Sequence, residues 1–277
     1  LVATLPAPGA DGKPAFRLGR SEVSFAQWQK VWRISVGNQY GSDVGDLGYS
    51  FDRDGAMGSM RADQAAHTPS EPVTDIHWAD AVTFCNALSE MEGLSPAYYA
   101  DAAFTQPYRR PVDRTQRENW HHHATVYWKK DAAGYRLPTA DEWRLAAGRT
   151  TKGWVKSNAD ERTHEVASSH PDAQGFFDLM GNVWEYVWSG DSSVDCDREG
   201  RVVALGGSYD YPAPPEAHNP TPFAVHPWRG HFATGFRVAR NAGSTFVPVE
   251  ASVEVPTWVI AREQAVPPKN AMTREAL

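Results

Sequence analysis

Cysteine is scarce in this sequence, with only Cys85 and Cys196 among 277 residues. Two cysteines form at most one disulfide, so the chain is not a disulfide-stabilised scaffold. Cys85 lies in an apolar helical pattern, and we interpret it as a small buried hydrophobic residue. Cys196 lies in a polar segment, and a disulfide between the two cysteines stays open.

The sequence also lacks a basic excess and a long hydrophobic run. Its 34 acidic residues outnumber 27 lysines and arginines, and the formal net charge is −7. Because phosphate recognition needs clustered Lys and Arg, we expect no nucleic-acid partner. No apolar stretch approaches the about 18 residues of a membrane-spanning helix, so no span is expected. The chain starts at Leu1 instead of methionine, which we interpret as a mature form after processing.

Aromatic residues, glycine and proline are abundant instead. The chain contains eleven tryptophans, 22 glycines and 20 prolines. This composition predicts many loops and few helices, with indole rings filling a core that regular elements leave open. The length suits one large domain or two small ones.

Local patterns predict two helix starts and several short strands. Ser24 with Gln27, and Thr139 with Glu142, have the spacing of a capping box, in which each side chain hydrogen-bonds the other residue's backbone. Gly93 is a typical residue for ending the helix between them. Short strands are predicted within residues 16–24, 202–208 and 234–240.

The chain divides into a main domain with two extensions. Residues 1–15 are predicted to form an N-terminal arm, and residues 16–241 the domain. Residues 98–130 are predicted to be a long irregular insertion in that domain. Residues 242–277 form a C-terminal extension, and the alternating pattern of residues 246–255 suits an edge strand.

Five short motifs occur in a characteristic order. Together they resemble the formylglycine-generating enzyme, or sulfatase-modifying factor, family over roughly residues 16–240. The resemblance implies a single mixed α/β domain with little regular secondary structure, related to the C-type lectin fold. The motifs are EPVTDIHWADA at residues 71–81, GYRLPTADEW at 134–143, DLMGNVWE at 178–185, LGGS at 205–208 and GFRVA at 235–239.

The family implied by this resemblance is functionally mixed. It includes copper-dependent oxidases that make formylglycine, domains of iron-dependent sulfoxide synthases, and a siderophore-maturation enzyme. It also includes inactive paralogues and ligand-binding proteins. Fold membership therefore does not determine the function, which has to be argued from the residues of the site.

Formylglycine generation is not expected of this chain. The copper enzymes carry two reactive cysteines after a Gly-Gly-Ser-Tyr segment, and thiolates suit the soft Cu(I) ion. Here the segment begins at Gly206, and the two cysteine positions are occupied by Tyr211 and Glu216. Neither residue can supply a dithiolate site.

Other catalytic arrangements are weakly indicated. His121, His122 and His123 are adjacent, so they point in different directions, and we interpret them as a solvated loop with a metal site as the alternative. His226 and His231 could line a pocket, or could make ordinary hydrogen bonds. The sequence shows neither a nucleophile elbow nor a phosphate-binding loop.

The resemblance implies calcium binding in the DLMGNVWE motif. It assigns side-chain oxygens of Asp178 and Glu185 and backbone carbonyls of Gly181 and Val183 to a calcium ion, which prefers hard oxygen ligands. The alternative is an acidic turn held by hydrogen bonds. A weaker second calcium site is expected at its matching positions, Asn158 and Ala159.

The resemblance also implies a groove. Pocket candidates are Trp184, Ser208, Tyr209, Tyr211, Glu216 and Arg229. In contrast, we expect Arg237, within the GFRVA motif, to form a structural ion pair.

We therefore expect a non-catalytic, calcium-stabilised binding or complex-forming module in the periplasm or outside the cell. The insertion or the C-terminal extension would contact a protein partner, and a small-molecule ligand stays open. The alternative is a metal-dependent oxidoreductase of the siderophore-maturation or sulfoxide-synthase type. A third hypothesis is a divergent sulfatase-maturation factor that binds without oxidising.

Overall fold

Three helices and twelve short strands make up the regular structure that the computed structural model describes. The helices are α1 (Phe25–Val36), α2 (Trp78–Met91) and α3 (Ala140–Ala147). None of the described helices is long and apolar enough to cross a membrane. The described residues are 4–7, 16–36, 47–51, 54–59, 66–109, 125–148, 150, 152–191, 193–195, 201–212, 222–227 and 230–242.

The strands form four small sheets. Their bounds are β1 (Thr4–Ala7), β2 (Phe16–Gly19), β3 (Ala56–Met57), β4 (Val73–Thr74), β5 (Tyr98–Tyr99), β6 (Thr125–Trp128), β7 (Trp184–Val187), β8 (Ser193–Asp195), β9 (Val202–Leu205), β10 (Phe223–Val225), β11 (Thr234–Phe236) and β12 (Ala239–Asn241). The largest sheet has the order β10-β9-β7-β11, and β7 is parallel to β11 but antiparallel to β9. The other sheets are β1-β2-β12, β5-β6-β8 and β3-β4. The expected mixed α/β fold with little regular structure is confirmed.

Both predicted capping boxes form. The backbone N–H of Ser24 donates to Gln27 Oε1 at 2.9 Å, and the N–H of Gln27 donates to Ser24 Oγ at 3.2 Å. At α3, Thr139 and Glu142 exchange the same pair of bonds at 2.9 and 3.1 Å. Gly93 follows α2 with φ of +69°, a conformation that glycine adopts without strain. These starts and stops arise from neighbours within four residues, which is why the sequence predicts them.

Tryptophan fills the main core, as the composition predicts. Trp28 stacks on Phe84 with ring centroids 5.4 Å apart and meets Phe236 edge-on at 6.1 Å. Trp188 stacks on Tyr98 at 5.2 Å in the same core cluster. Cys85 is a buried free thiol in α2, and burial raises its pKa far above the usual value, which confirms its interpretation as a core residue. Cys196 lies outside the described residues.

The structured part extends into the predicted arm and into the base of the insertion. Strand β1 pairs antiparallel with β2, and the side chain of Arg17 donates to the hydroxyl and the carbonyl of Thr4 at 3.1 and 2.7 Å. Strands β5 and β6, at the two ends of the insertion, pair with each other. Residues 110–124 and 243–277, which include most of the C-terminal extension and its predicted edge strand, lie outside the described residues.

Candidate functional site

The Asp178–Trp188 stretch forms a tight turn that leads into β7, the strand between β9 and β11. Asp178, Gly181 and Asn182 all have positive φ, at 56°, 79° and 55°. A Cβ on Gly181 would lie 1.9 Å from the carbonyl oxygen of Trp154, so this position accepts only glycine. Asn182 links the turn to the segment at His164, because its side chain accepts a hydrogen bond from the N–H of His164 at 2.9 Å. The turn therefore holds β7 and the acids beside it in one conformation.

A buried ion pair forms the centre of the site. The guanidinium of Arg237 donates to both oxygens of Glu185, at 2.6 Å from Nε and 2.5 Å from Nη2. The indole of Trp143 donates to Glu185 at 2.7 Å, and all three side chains are buried. Arg237 also donates to the carbonyls of Gly19 and Phe177 at 3.1 and 2.9 Å. The expectation that Arg237 forms a structural ion pair is confirmed, and its partner is the predicted calcium ligand Glu185.

Asp178 lies in the same buried cluster but has different partners. Its carboxylate accepts from the Ser169 hydroxyl at 2.5 Å and from the N–H of Ala167 at 2.7 Å. Burial raises the pKa of this carboxyl group, and the hydrogen bonds from Ser169 and Ala167 oppose that rise. The side chain is therefore held rigidly in place.

A third acid, Glu22, completes the cluster, and the sequence analysis missed it. Glu22 lies in the connection from β2 to α1, is fully buried, and comes within hydrogen-bonding reach of Asp178. Apart from Asp178 and its own backbone, no described residue hydrogen-bonds its carboxyl oxygens. Burial raises its pKa well above the usual value, and the charges of Asp178 and Glu185 raise it further. No local pattern marks Glu22, because the acids that it meets lie more than 150 residues away in sequence.

The donor set suits calcium in part. Asp178 and Glu22 offer neighbouring buried carboxylates, and calcium accepts about 6–8 oxygen ligands that include backbone carbonyls. Glu185 is a poorer ligand than the resemblance implies, because Arg237 already neutralises its charge. Across the described ranges, no group of three or more His, Cys, Asp or Glu side chains has metal-site geometry. Carbonyl groups and water would therefore have to complete the coordination.

The second predicted calcium position is engaged in a turn. The side chain of Asn158 accepts from the N–H of Val155 at 2.7 Å and donates to the carbonyl of Gly153 at 3.0 Å. The carbonyl of Ala159 lies 3.0 Å from Nε2 of His164. Both residues therefore have hydrogen-bonding roles within the chain.

A series of aromatic rings extends from strands β7 and β10 of the largest sheet. Trp184 meets Tyr211 edge-on with centroids 5.0 Å apart and stacks on Phe223 at 5.3 Å. The series continues from Phe223 to His231 at 5.2 Å and from His231 to Phe232 at 4.3 Å. Tyr211 is 42% exposed, so one end of this series faces solvent. We call these five residues the aromatic groove.

A cavity of about 320 Å³ adjoins the groove and shares Phe223 and His231 with it. Its lining combines apolar strand residues with cationic and titratable ones. The remaining lining residues are Arg201, Ala224, Val225, His226 and Gly230. Of the two alternatives given for these histidines, both His226 and His231 line this cavity, and His231 also accepts a hydrogen bond from the N–H of Ala233 at 3.2 Å.

The predicted pocket residues differ in their exposure to solvent. Trp184 and Tyr211 belong to the aromatic groove, as above. Ser208 and Tyr209 are fully buried, and Ser208 donates to Asp210 at 2.7 Å, so neither forms part of the exposed surface. Glu216, Arg229 and the histidines 121–123 lie outside the described residues.

Comparisons with known proteins place this arrangement in a family. Residues 6–242 match the sulfatase-modifying factor enzyme 1-like domain. The chaperone protein LppX of Paenibacillus barcinonensis is 26% identical over 226 residues, which cover 70% of this chain and 69% of LppX.

Three solved structures show the same fold at low sequence identity. CarF is 23% identical with a TM-score of 0.65 and covers 87% of this chain and 98% of its own. Treponema denticola variable protein 1 is 23% identical with a TM-score of 0.56, over 87% and 93% of the two chains. PvdO from Pseudomonas aeruginosa is 16% identical with a TM-score of 0.51, over 86% and 90%. With five motifs in order, a family match over most of its length and these structural neighbours, the chain belongs to the sulfatase-modifying factor enzyme 1-like family.

Proposed function

We propose that this protein is a non-catalytic binding module that uses the aromatic groove to hold an apolar or aromatic segment of a partner protein. The observation that carries this proposal is the groove itself. Trp184, Phe223 and His231 form a continuous ring series that ends in the exposed Tyr211. Aromatic side chains give large contact area at low conformational cost, which is why binding surfaces are rich in them.

The position of Tyr211 supports binding over catalysis. The resemblance places a copper-ligating cysteine of the oxidases at this position, where this chain has a phenol at the solvent-facing end of the groove. A phenol is a hard oxygen donor and does not replace a thiolate for Cu(I). A relative whose name describes a chaperone is consistent with a domain that recognises another polypeptide.

We also propose a structural calcium ion and a periplasmic or extracellular location. A calcium ion at the buried acid cluster would stabilise the turn that leads into β7, and hence the position of Trp184 in the groove. Calcium at the supply levels of an exterior compartment suits a periplasmic or extracellular protein. The insertion at residues 98–130 and the C-terminal extension would enlarge the partner-binding surface.

The test compares two exposed aromatic residues. Tyr211 and Phe104 are the exposed large hydrophobic residues among those described, at 42% and 37%, and Phe104 packs on Tyr99 away from the groove. The purified full chain and its Tyr211→Ala and Phe104→Ala variants are applied to an array of synthetic peptides that differ only in aromatic content. We expect the wild type and Phe104→Ala to bind aromatic peptides equally, and Tyr211→Ala to bind at least tenfold more weakly.

Two outcomes would overturn the proposal. Equal binding by all three proteins would remove the aromatic groove from recognition. Stoichiometric iron or copper in the purified protein, together with oxygen consumption in the presence of a thiol substrate, would replace the binding module with the oxidoreductase alternative.

A further inference from the structure

The cavity beside the aromatic groove is lined by one arginine and two histidines, Arg201, His226 and His231. Its other described lining residues are apolar or glycine, and no acid is among them. The chain as a whole has a formal net charge of −7, so this wall differs in charge from most of the molecule. A concave site lined by cationic and N–H groups concentrates negatively charged ligands.

Strand pairing explains why Arg201 and His226 share this cavity. Strands β9 and β10 are antiparallel, and Val202 pairs with Val225 at one end of the ladder. Arg201 precedes Val202 and His226 follows Val225, so the same register sets these two residues opposite each other. Opposite residues of an antiparallel pair have Cβ atoms about 4.5–5.5 Å apart, so both side chains can reach one ligand group.

Arg201 brings a pair of donors to the cavity. Its side chain is exposed, and no described residue forms an ion pair or a hydrogen bond with its guanidinium. A guanidinium binds a carboxylate through two parallel N–H···O bonds, a geometry that an ammonium group cannot reproduce. Arg201 is therefore suited to a carboxylate that enters the cavity from solvent.

His231 connects the cavity to the aromatic groove. Its Nδ1 accepts from the N–H of Ala233 at 3.2 Å, which places the proton of the neutral ring on Nε2. The ring is held between Phe232 and Phe223, with centroids 4.3 and 5.2 Å away. Because His231 belongs to both surfaces, one ligand can contact the ring series and the cationic lining together.

One acid, Asp75, lies behind the cavity wall at Gly230. A Cβ at position 230 would lie 2.5 Å from Oδ1 of Asp75, so glycine is what allows this close approach. Asp75 is not a lining residue, and it has a partner within the chain. Its charge partly offsets the cationic lining, so the cavity selects by hydrogen-bond geometry as well as by charge.

Given the binding function proposed above, on which this inference rests, we propose that the cavity is a carboxylate subsite of the aromatic groove. The partner segment then carries a carboxylate near its aromatic residue, either on an acidic side chain or at a chain terminus. The ring contacts from Tyr211 to Trp184 and from Trp184 to Phe223 measure 5.0 and 5.3 Å. An extended peptide covers that separation in about three residues, which sets the distance between aromatic ring and acid.

Peptide binding to the purified full chain, followed by fluorescence anisotropy at pH 7, tests this subsite. All peptides contain one phenylalanine in an uncharged background. The first has Asp three residues before and after the phenylalanine, the second has Asn at both positions, and the third has the two Asp moved to its ends. A fourth and a fifth peptide stop three residues after the phenylalanine, as a free acid and as an amide.

The proteins are the wild type, Arg201→Gln, Arg201→Lys and Arg144→Gln. Arg144→Gln is the matched control, because it removes the same charge from an arginine that is more than a third exposed and does not line the cavity. Since Arg201 is exposed, its replacement should leave the fold intact, which a thermal melt of each variant checks.

We expect the wild type and Arg144→Gln to bind a carboxylate peptide about fivefold more tightly than its neutral counterpart. The preference for Asp over Asn, or for the free acid over the amide, identifies which carboxylate the subsite takes. Arg201→Gln should reduce that ratio to less than about twofold. Arg201→Lys should recover part of it, because lysine keeps the charge but not the planar fork.

Other results overturn the inference in distinguishable ways. If the wild type binds both members of each pair within about twofold, the cavity does not recognise carboxylates, whereas the aromatic groove keeps its support. A preference that Arg201→Gln retains would locate the recognition outside this cavity. An equal gain from the end-placed Asp, or an equal loss in Arg144→Gln, would mean long-range attraction instead of a subsite. If no peptide binds the wild type, the proposed binding function fails, and the carboxylate subsite fails with it.

Discussion

Replacing Arg237 by methionine should be among the most destabilising single substitutions in this domain. The change keeps most of the aliphatic volume and removes the guanidinium from a fully buried position. Among the described residues, Glu185 would then keep the Trp143 indole as its hydrogen-bond donor. Breaking a buried ion pair by removing one partner costs about 3–5 kcal/mol.

The lost backbone contacts add to this cost. The carbonyls of Gly19 and Phe177 would each lose a donor, and an unsatisfied buried acceptor costs about 1–3 kcal/mol. Domains have unfolding free energies of about 5–15 kcal/mol, so Arg237→Met removes a large share of the total. From the ion pair alone, the melting temperature should fall by roughly 6–20 °C. Arg237→Lys keeps the charge but not the planar fork, so its loss should be smaller.

Urea denaturation followed by tryptophan fluorescence measures this loss, with Arg144→Met as the control. Arg144 also faces an acid, Asp141, but at 3.7 Å and with both side chains more than a third exposed. Exposed pairs contribute about 0–1 kcal/mol, so the control should differ little from the wild type. A double variant, Glu185→Gln with Arg237→Met, should lose less than the sum of its two single changes. If Arg237→Met falls within about 1 kcal/mol of the wild type, the buried pair does not stabilise the fold as described.

Three further predictions follow from buried groups. Asn86→Leu should lower the free energy of unfolding, measured by urea denaturation, by about 3 kcal/mol or more. The Asn86 side chain makes four hydrogen bonds, at 2.8–3.1 Å, to the backbone of residues 97, 98 and 108. A loss under about 1 kcal/mol would contradict this prediction. Cys85 should react with a thiol reagent only as fast as the domain opens, because burial raises its pKa and excludes the reagent; fast labelling of a Cys196→Ser protein in native buffer would refute this. In calcium-free protein, the raised pKa of Glu22 means that the folded state binds its proton more tightly than the unfolded state does. The contribution of Glu22 is therefore most favourable below the ordinary carboxyl range and is lost as pH rises above it, so Glu22→Gln should gain stability relative to the wild type between about pH 4 and 7; a difference that is independent of pH would exclude this titration.

Local features of this protein were predictable because they depend on neighbours in sequence. The capping boxes at Ser24 and Thr139 require residues three positions apart, and both form with the expected hydrogen bonds. The burial of Cys85 follows from the apolar face of one helix. The resemblance correctly indicated the fold, and the GFRVA motif correctly indicated that Arg237 is structural.

The site was predicted less completely, because its parts are distant in sequence. Glu185 was expected to bind calcium, and no local pattern indicated that it also pairs with Arg237, 52 residues away. Tyr209 was expected in the pocket, and it is fully buried, since its N–H bonds the carbonyl of Asn182 and fixes it inside the turn. Phe223 completes the aromatic groove, yet nothing in its local sequence distinguishes it from a core strand residue.

Local sequence patterns predicted the starts of α1 and α3 and three of the strand-forming segments, because these depend on hydrogen bonds and hydrophobic alternation within a few residues. The single mixed α/β domain was predicted from the resemblance and not from these patterns. Which buried acid pairs with which cation depends on the fold, because charge compensation in a solvent-free core depends on which segments come together. Arg237 pairs with Glu185, and Glu22 lies beside Asp178.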